Sequence, residues 1–161
     1  MKKLLCTVAL VGMVVAVPGS VQAQTVVGPM AGYHDDLEAL GIGGFISVPV
    51  PALDPNLSIV PSFVFYFPDG GDALEVNGDV MYAFEVSEDT PVLPFAFAGL
   101  NIFRTKPDFT GASADTDVGL NLGGGVTFRA ESLRPFAGAK FEIHDGTGFL
   151  IFGGVGFPLG G

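Results

Sequence analysis

The chain has 161 residues, of which 24 are Gly and 12 are Pro; 48% are hydrophobic, 15% are charged, and the formal net charge is −10. That length suits a single domain, the apolar content excludes disorder, and the density of Gly and Pro excludes a helical bundle. The acidic balance excludes nucleic acid as a partner, because phosphate recognition needs a basic patch.

Residues 1–23 read as a secretory signal peptide. Met1-Lys2-Lys3 is basic, Leu4 to Val17 is apolar, Pro18-Gly19-Ser20 ends the helical core, and Val21-Gln22-Ala23 is a small-residue cleavage site. The apolar run falls short of the roughly 20 residues that a spanning helix needs. Cys6, the one cysteine, leaves with this leader, so disulfides and thiolate chemistry are excluded from the mature chain, 24–161.

Eight segments then alternate apolar and polar residues with period 2, near 25–34, 39–50, 57–68, 73–86, 92–104, 118–129, 135–144 and 149–158. Turn formers divide them, as in Asp69-Gly70-Gly71-Asp72 and Asp145-Gly146-Thr147-Gly148. In segment 57–68, Leu57, Ile59, Pro61, Phe63, Phe65 and Phe67 share a face. In 73–86, Leu74, Val76, Val80, Tyr82 and Phe84 oppose Glu75, Asn77, Asp79 and Glu85. Segment 92–104 is apolar on both faces. In 118–129, Val118, Leu120, Leu122, Val126 and Phe128 oppose Asn121, Thr127, Arg129 and several glycines. In 135–144, Ala137, Ala139, Phe141 and Ile143 oppose Phe136, Gly138, Lys140 and Glu142.

Two architectures produce this alternation. In a soluble barrel the apolar face is the core; in a membrane barrel it meets lipid and the lumen is polar. Here the apolar face is rich in Phe on nearly every segment. The opposite face is dominated by Gly, Asn, Ser and Ala, not by the Lys, Glu and Thr of a solvated sheet. The pattern therefore predicts an all-β fold, an eight-stranded antiparallel up-and-down transmembrane β-barrel, with Phe63, Val80, Leu122 and Phe141 facing lipid. Export and an even strand count put both termini at the periplasmic end. The longest connector, 105–117, is then expected outside the cell, exposed and mobile.

Chemistry is sparse. His34 and His144 stand at outer strand ends, where Asp35, Asp36 or Asp145 could join them around a metal; they read more simply as exposed loop-edge residues. Ser47, Ser58 and Ser62 face the predicted lumen with no His at their depth, which leaves no hydrolase pair. Gly41-Ile42-Gly43-Gly44 lacks the third glycine of a dinucleotide loop. No catalytic residue, cofactor site or metal set is assigned.

The lumen charges are the most informative group. Glu75, Asp79, Glu85 and Glu142 are expected to share the interior with Arg129 and Lys140. An eight-stranded interior is just wide enough for side chains to fill, and buried charges there must pair. Strand directions predict Lys140 with Asp79, Glu142 or both, and Arg129 with Glu85. The network reads as a structural plug or, alternatively, as a gated ion path.

Leu93-Pro94-Phe95-Ala96-Phe97-Ala98-Gly99-Leu100-Asn101, Gly119-Leu120-Asn121-Leu122-Gly123-Gly124-Gly125-Val126, Arg134-Pro135-Phe136-Ala137 and Gly154-Val155-Gly156-Phe157 carry a family likeness. In order and spacing the mature chain resembles the eight-stranded outer-membrane β-barrels of OmpA/OmpX type. The resemblance implies a Gram-negative cell outer membrane location, with outer-membrane lipid and the assembly machinery as partners. It implies a structural, adhesive or protective role without catalysis. Such barrels usually end on an aromatic residue, whereas Pro158-Leu159-Gly160-Gly161 follows Phe157 here. Two alternatives stand beside this reading: a narrow ion pore or small-ligand binder, and a soluble periplasmic β-barrel holding an apolar ligand.

Overall fold

A computed structural model describes residues 24–160 apart from 110, 112 and 131; the expected signal peptide lies outside the described residues. Eight strands follow one another around a closed barrel: β1 (Thr25–His34), β2 (Ala39–Pro49), β3 (Leu57–Tyr66), β4 (Gly71–Ala83), β5 (Val92–Pro107), β6 (Asp115–Phe128), β7 (Arg134–Ile143) and β8 (Thr147–Leu159). Each pairs antiparallel with the next. β8 closes on β1, from Thr25 opposite Leu159 to His34 opposite Leu150. Closure leaves no sheet edge with a row of unpaired N–H and C=O groups.

The start of β1 and the end of β8 lie at one end of the barrel, the terminal end, together with connections 50–56, 84–91 and 129–133. Connections 35–38, 67–70, 108–114 and 144–146 form the far end. Gly70 turns β3 into β4 with φ of 85°, a left-handed conformation that side chains resist.

Most strand ends lie within two residues of the sequence expectation, and three differ from it by three residues. β4 stops at Ala83 instead of continuing to residue 86. Phe84 N–H donates to Pro94 O at 2.9 Å, but Pro94 has no N–H to return, so the ladder ends. β5 and β6 in turn run on past the expected apolar segments, with Phe103 opposite Asp117 and Thr105 opposite Asp115. The connector expected over 105–117 shrinks to 108–114. The β6 flank, Asp115-Thr116-Asp117, is polar and exposed on both faces, and on β5 Thr105 and Lys106 are polar, so backbone pairing extends where side-chain alternation gives no signal. The last strand continues through Phe157 to Leu159, and both side chains point outward.

Every strand puts large apolar side chains on the outer surface: Tyr33, Ile42, Phe63, Val80, Leu100, Leu122, Phe141 and Ile151, one from each, are all exposed. Register aligns several into one row, as Val80, Ala98, Leu122, Phe141 and Phe149 are successive cross-strand partners. The Phe141 and Phe149 rings lie 5.3 Å apart. The alternate residues point into the barrel. A cluster of Ala39, Val64, Tyr66, Ala73, Phe103 and Leu150 fills its far half.

Candidate functional site

The far half of the lumen also holds a buried polar network centred on Lys140 of β7. Glu75, Lys140 and Glu142 sit on inward positions of β4 and β7, where alternation places every second residue in the interior. Glu75 and Glu142 are fully buried and Lys140 nearly so. The Lys140 ammonium forms ion pairs with both carboxylates, with Glu75 Oε1 and, at 2.8 Å, with Glu142 Oε1. It also donates to Asn77 Oδ1 at 3.1 Å. Burial in this low-dielectric space is tolerable because the charges meet one another.

Each carboxylate has further partners. Tyr66 OH donates to Glu75 Oε2 at 2.7 Å. His34 Nε2 lies 3.2 Å from Glu142 Oε2, where the imidazole donates. His144 Nε2 approaches the same oxygen at 3.7 Å. The His34 ring stands edge-on to Tyr66 and 5.5 Å from Phe103, which also lies 6.1 Å from His144. An asparagine relay runs beside the ions. Asn101 Nδ2 donates to Asn121 Oδ1 at 2.7 Å; Asn121 Nδ2 donates to Asn77 Oδ1 at 2.7 Å and to Asp79 Oδ1 at 2.9 Å. Asn77 Nδ2 then donates to Ser62 Oγ at 3.1 Å.

The structure brings four of the six predicted lumen charges, Glu75, Asp79, Lys140 and Glu142, into this interior. It separates the other two. Glu85 and Arg129 lie beyond the ends of β4 and β6 and are exposed. Glu85 Oε1 accepts a bond from Asn56 Nδ2 at 3.2 Å instead of meeting Arg129. The expected pair fails because both strands end before the alternation that suggested it.

Lys140 reaches Glu142, and on β4 it reaches Glu75 in place of Asp79, which is held by Asn121. The reason is strand tilt. Hydrogen-bonded rows lead from Lys140 through Gly123 and Phe97 to Met81. Strands inclined at roughly 35–45° displace residues of equal height along each successive strand. On β4 the displacement runs from Met81 toward the far end, to Asn77 and Glu75.

His34 is a further correction. It is buried, not a loop-edge residue. Its position on the inward register of β1, opposite Ala39 and Leu150, turns it into the lumen. Tyr66 was legible in principle, since it alternates with the outward Phe65 and Phe67, and a buried tyrosine hydroxyl needs an acceptor. The described residues contain no group of three or more His, Cys, Asp and Glu side chains placed to hold a metal.

The four predicted outward residues, Phe63, Val80, Leu122 and Phe141, all lie on the exterior, between 45% and 57% exposed.

No family model matches the sequence, and no curated protein matches it significantly. Solved structures do match in three dimensions. The N-terminal β-barrel domain of Pseudomonas aeruginosa OprF is 18% identical with a TM-score of 0.68, over 86% of this chain and 100% of that one. Neisserial surface protein A is 16% identical with a TM-score of 0.68, over 84% and 97%. Ail, the attachment invasion locus protein of Yersinia pestis, is 14% identical with a TM-score of 0.62, over 85% and 97%. The resemblance to OmpA/OmpX-type barrels thus extends to a shared fold, the closed eight-stranded up-and-down barrel.

Proposed function

We propose that the chain is a small outer-membrane β-barrel protein, exported by its leader, that spans the membrane and acts without catalysis in a structural or surface-interaction role. The observation that carries this reading is the apolar exterior. Soluble monomers rarely expose contiguous apolar patches beyond a few hundred Å², yet here all eight strands contribute to one. In lipid that surface is the required one, and the closed barrel satisfies every strand internally. The fold shared with OprF, Neisserial surface protein A and Ail supports it. The terminal end is then periplasmic, and the far-end turns face outward toward an interaction partner. Outer-membrane lipid surrounds the barrel, and the outer-membrane assembly machinery inserts it.

The lumen network favours a closed barrel over an ion path. Lys140 is drawn between two carboxylates, and Tyr66, Phe103 and Leu150 pack around them. Cell fractionation with gel mobility of unboiled and boiled samples tests the membrane reading. Recovery in the outer-membrane fraction with faster migration unboiled is expected. A periplasmic, soluble protein whose mobility ignores boiling would overturn it in favour of a soluble barrel.

A further inference from the structure

We propose that the terminal half of the lumen is a binding site for one acyl chain with an anionic head group, entered from the terminal end and closed at its inner end by the polar network. A cavity of about 500 Å³ occupies this half, within the range of ligand pockets. Its inner end is formed by Asn77, Asp79 and Lys140, and its mouth by residues at the terminal strand ends, among them Gln24, Asn56 and Arg134. It is a blind pocket, not a channel.

Two features of sequence keep the space open. On β2 and β3 several inward positions are small: Ser47, Ser58 and Ser62 line the cavity beside Phe45 and Val60. Opposite them are aromatic rings that pack over glycines of the neighbouring strand and against one another, Phe45 on Phe136 at 5.0 Å and Phe97 on Phe152 at 5.9 Å, which gathers them to one side of the lumen. Phe95 pairs with Gly125, Phe97 with Gly123, Phe136 with Gly154 and Phe152 with Gly138. A Cβ at any of these glycines would fall within 2.7 Å of the partner ring, so each ring occupies the space over its glycine. This also accounts for β5, apolar on both faces: Leu93, Phe95 and Phe97 line the cavity while Ala98, Leu100 and Ile102 face out.

The chemistry of the walls selects the occupant. The interior of a membrane barrel is ordinarily polar, and a barrel of eight strands has room for one small ligand at most. Here aromatic and aliphatic walls with a few hydroxyls match a single hydrocarbon chain. Arg134, at the terminal end of β7, lines the mouth and supplies a guanidinium suited to a carboxylate or phosphate. Lys140 lies at the opposite end and is engaged by Glu75 and Glu142. The head group therefore belongs at the mouth and the chain inside.

The full chain, processed and reconstituted in phospholipid nanodiscs, is illuminated with a diazirine analogue of dodecanoic acid, and the adducts are mapped by mass spectrometry. Adducts on Phe95, Phe97 or Val60 are expected in addition to those that surrounding lipid exchange leaves on Leu122 and Val80. Val60→Trp, or Ser58→Phe where the first does not fold, should abolish the lumen adducts and spare the outer ones. Arg134→Gln should lower lumen labelling by about tenfold, the worth of one charge-assisted hydrogen bond. A lysophosphatidate probe of equal chain length separates the sources: the stronger label identifies a free acid or a lysolipid. Adducts confined to the outer face, or lumen adducts that survive both filling variants, would overturn the site. Labelling unchanged by Arg134→Gln would overturn the assigned head group.

Discussion

The two halves of this lumen solve the same spatial problem in opposite ways. In the far half, long polar side chains cross the barrel and meet: Lys140 from β7 reaches Glu75 on β4, and Tyr66 from β3 closes over it. In the terminal half, aromatic side chains fold back over glycines and leave about 500 Å³ between the walls. Strand number and barrel diameter are common to both halves, so neither sets whether the interior is solid or hollow. The choice lies with side-chain length and with the residue paired beside each aromatic ring.

The largest effect is expected at Lys140. Lys140→Ala leaves Glu75 and Glu142 uncompensated and should destabilise by about 3–5 kcal/mol, measured by unfolding in lipid. Planar-bilayer recording of the same variant tests how solid the far half is. Lost stability without conductance marks a structural plug. Increased cation conductance would make the network a gate, and no change in either would remove Lys140 from the network.

The barrel wall provides the reference against which the interior is judged. Leu122→Arg puts a charge on the outer row and should cost about 2–4 kcal/mol in lipid. Asn121, its neighbour in sequence, donates to Asn77 and Asp79 inside. If Leu122→Arg folded as well as the parent while Asn121→Leu failed, the exterior would be solvated and the membrane reading would fall.

A smaller loss is expected at Tyr66. Tyr66→Phe removes the donor to Glu75 in a fully buried setting and should cost about 1–3 kcal/mol. The matching change in the hollow half, Ser62→Ala, removes the acceptor of Asn77 Nδ2. Water entering from the mouth replaces that bond, so the cost should be about 0.5 kcal/mol or less. Urea unfolding of the two variants compares the halves directly. Equal losses would mean that the terminal half is as dry and as tightly packed as the far half.

Most of the wall was legible along the chain. The backbone pleat sends successive side chains to opposite faces, so the outward direction of Phe63, Val80, Leu122 and Phe141 and the inward direction of Glu75, Asp79, Lys140 and Glu142 follow from local alternation alone. Strand ends were less legible. At 105–106 and 115–117 pairing continues through polar residues, and at Phe84 it stops because Pro94 offers no N–H. Those ends decided the fate of Glu85 and Arg129, which alternation assigned to the interior and which stand outside it.

By itself the sequence determined the number of strands, their faces and the apolar exterior, because each depends on residues one or two positions apart. The tertiary structure alone decided which carboxylate Lys140 meets, that His34 joins Glu142, and that the terminal half stays hollow. Each of these depends on tilt and register accumulated around the barrel, which bring together side chains more than sixty residues apart, as in Lys140 and Glu75. No local pattern encodes that displacement. It exists only once β8 has paired with β1 and the barrel is closed.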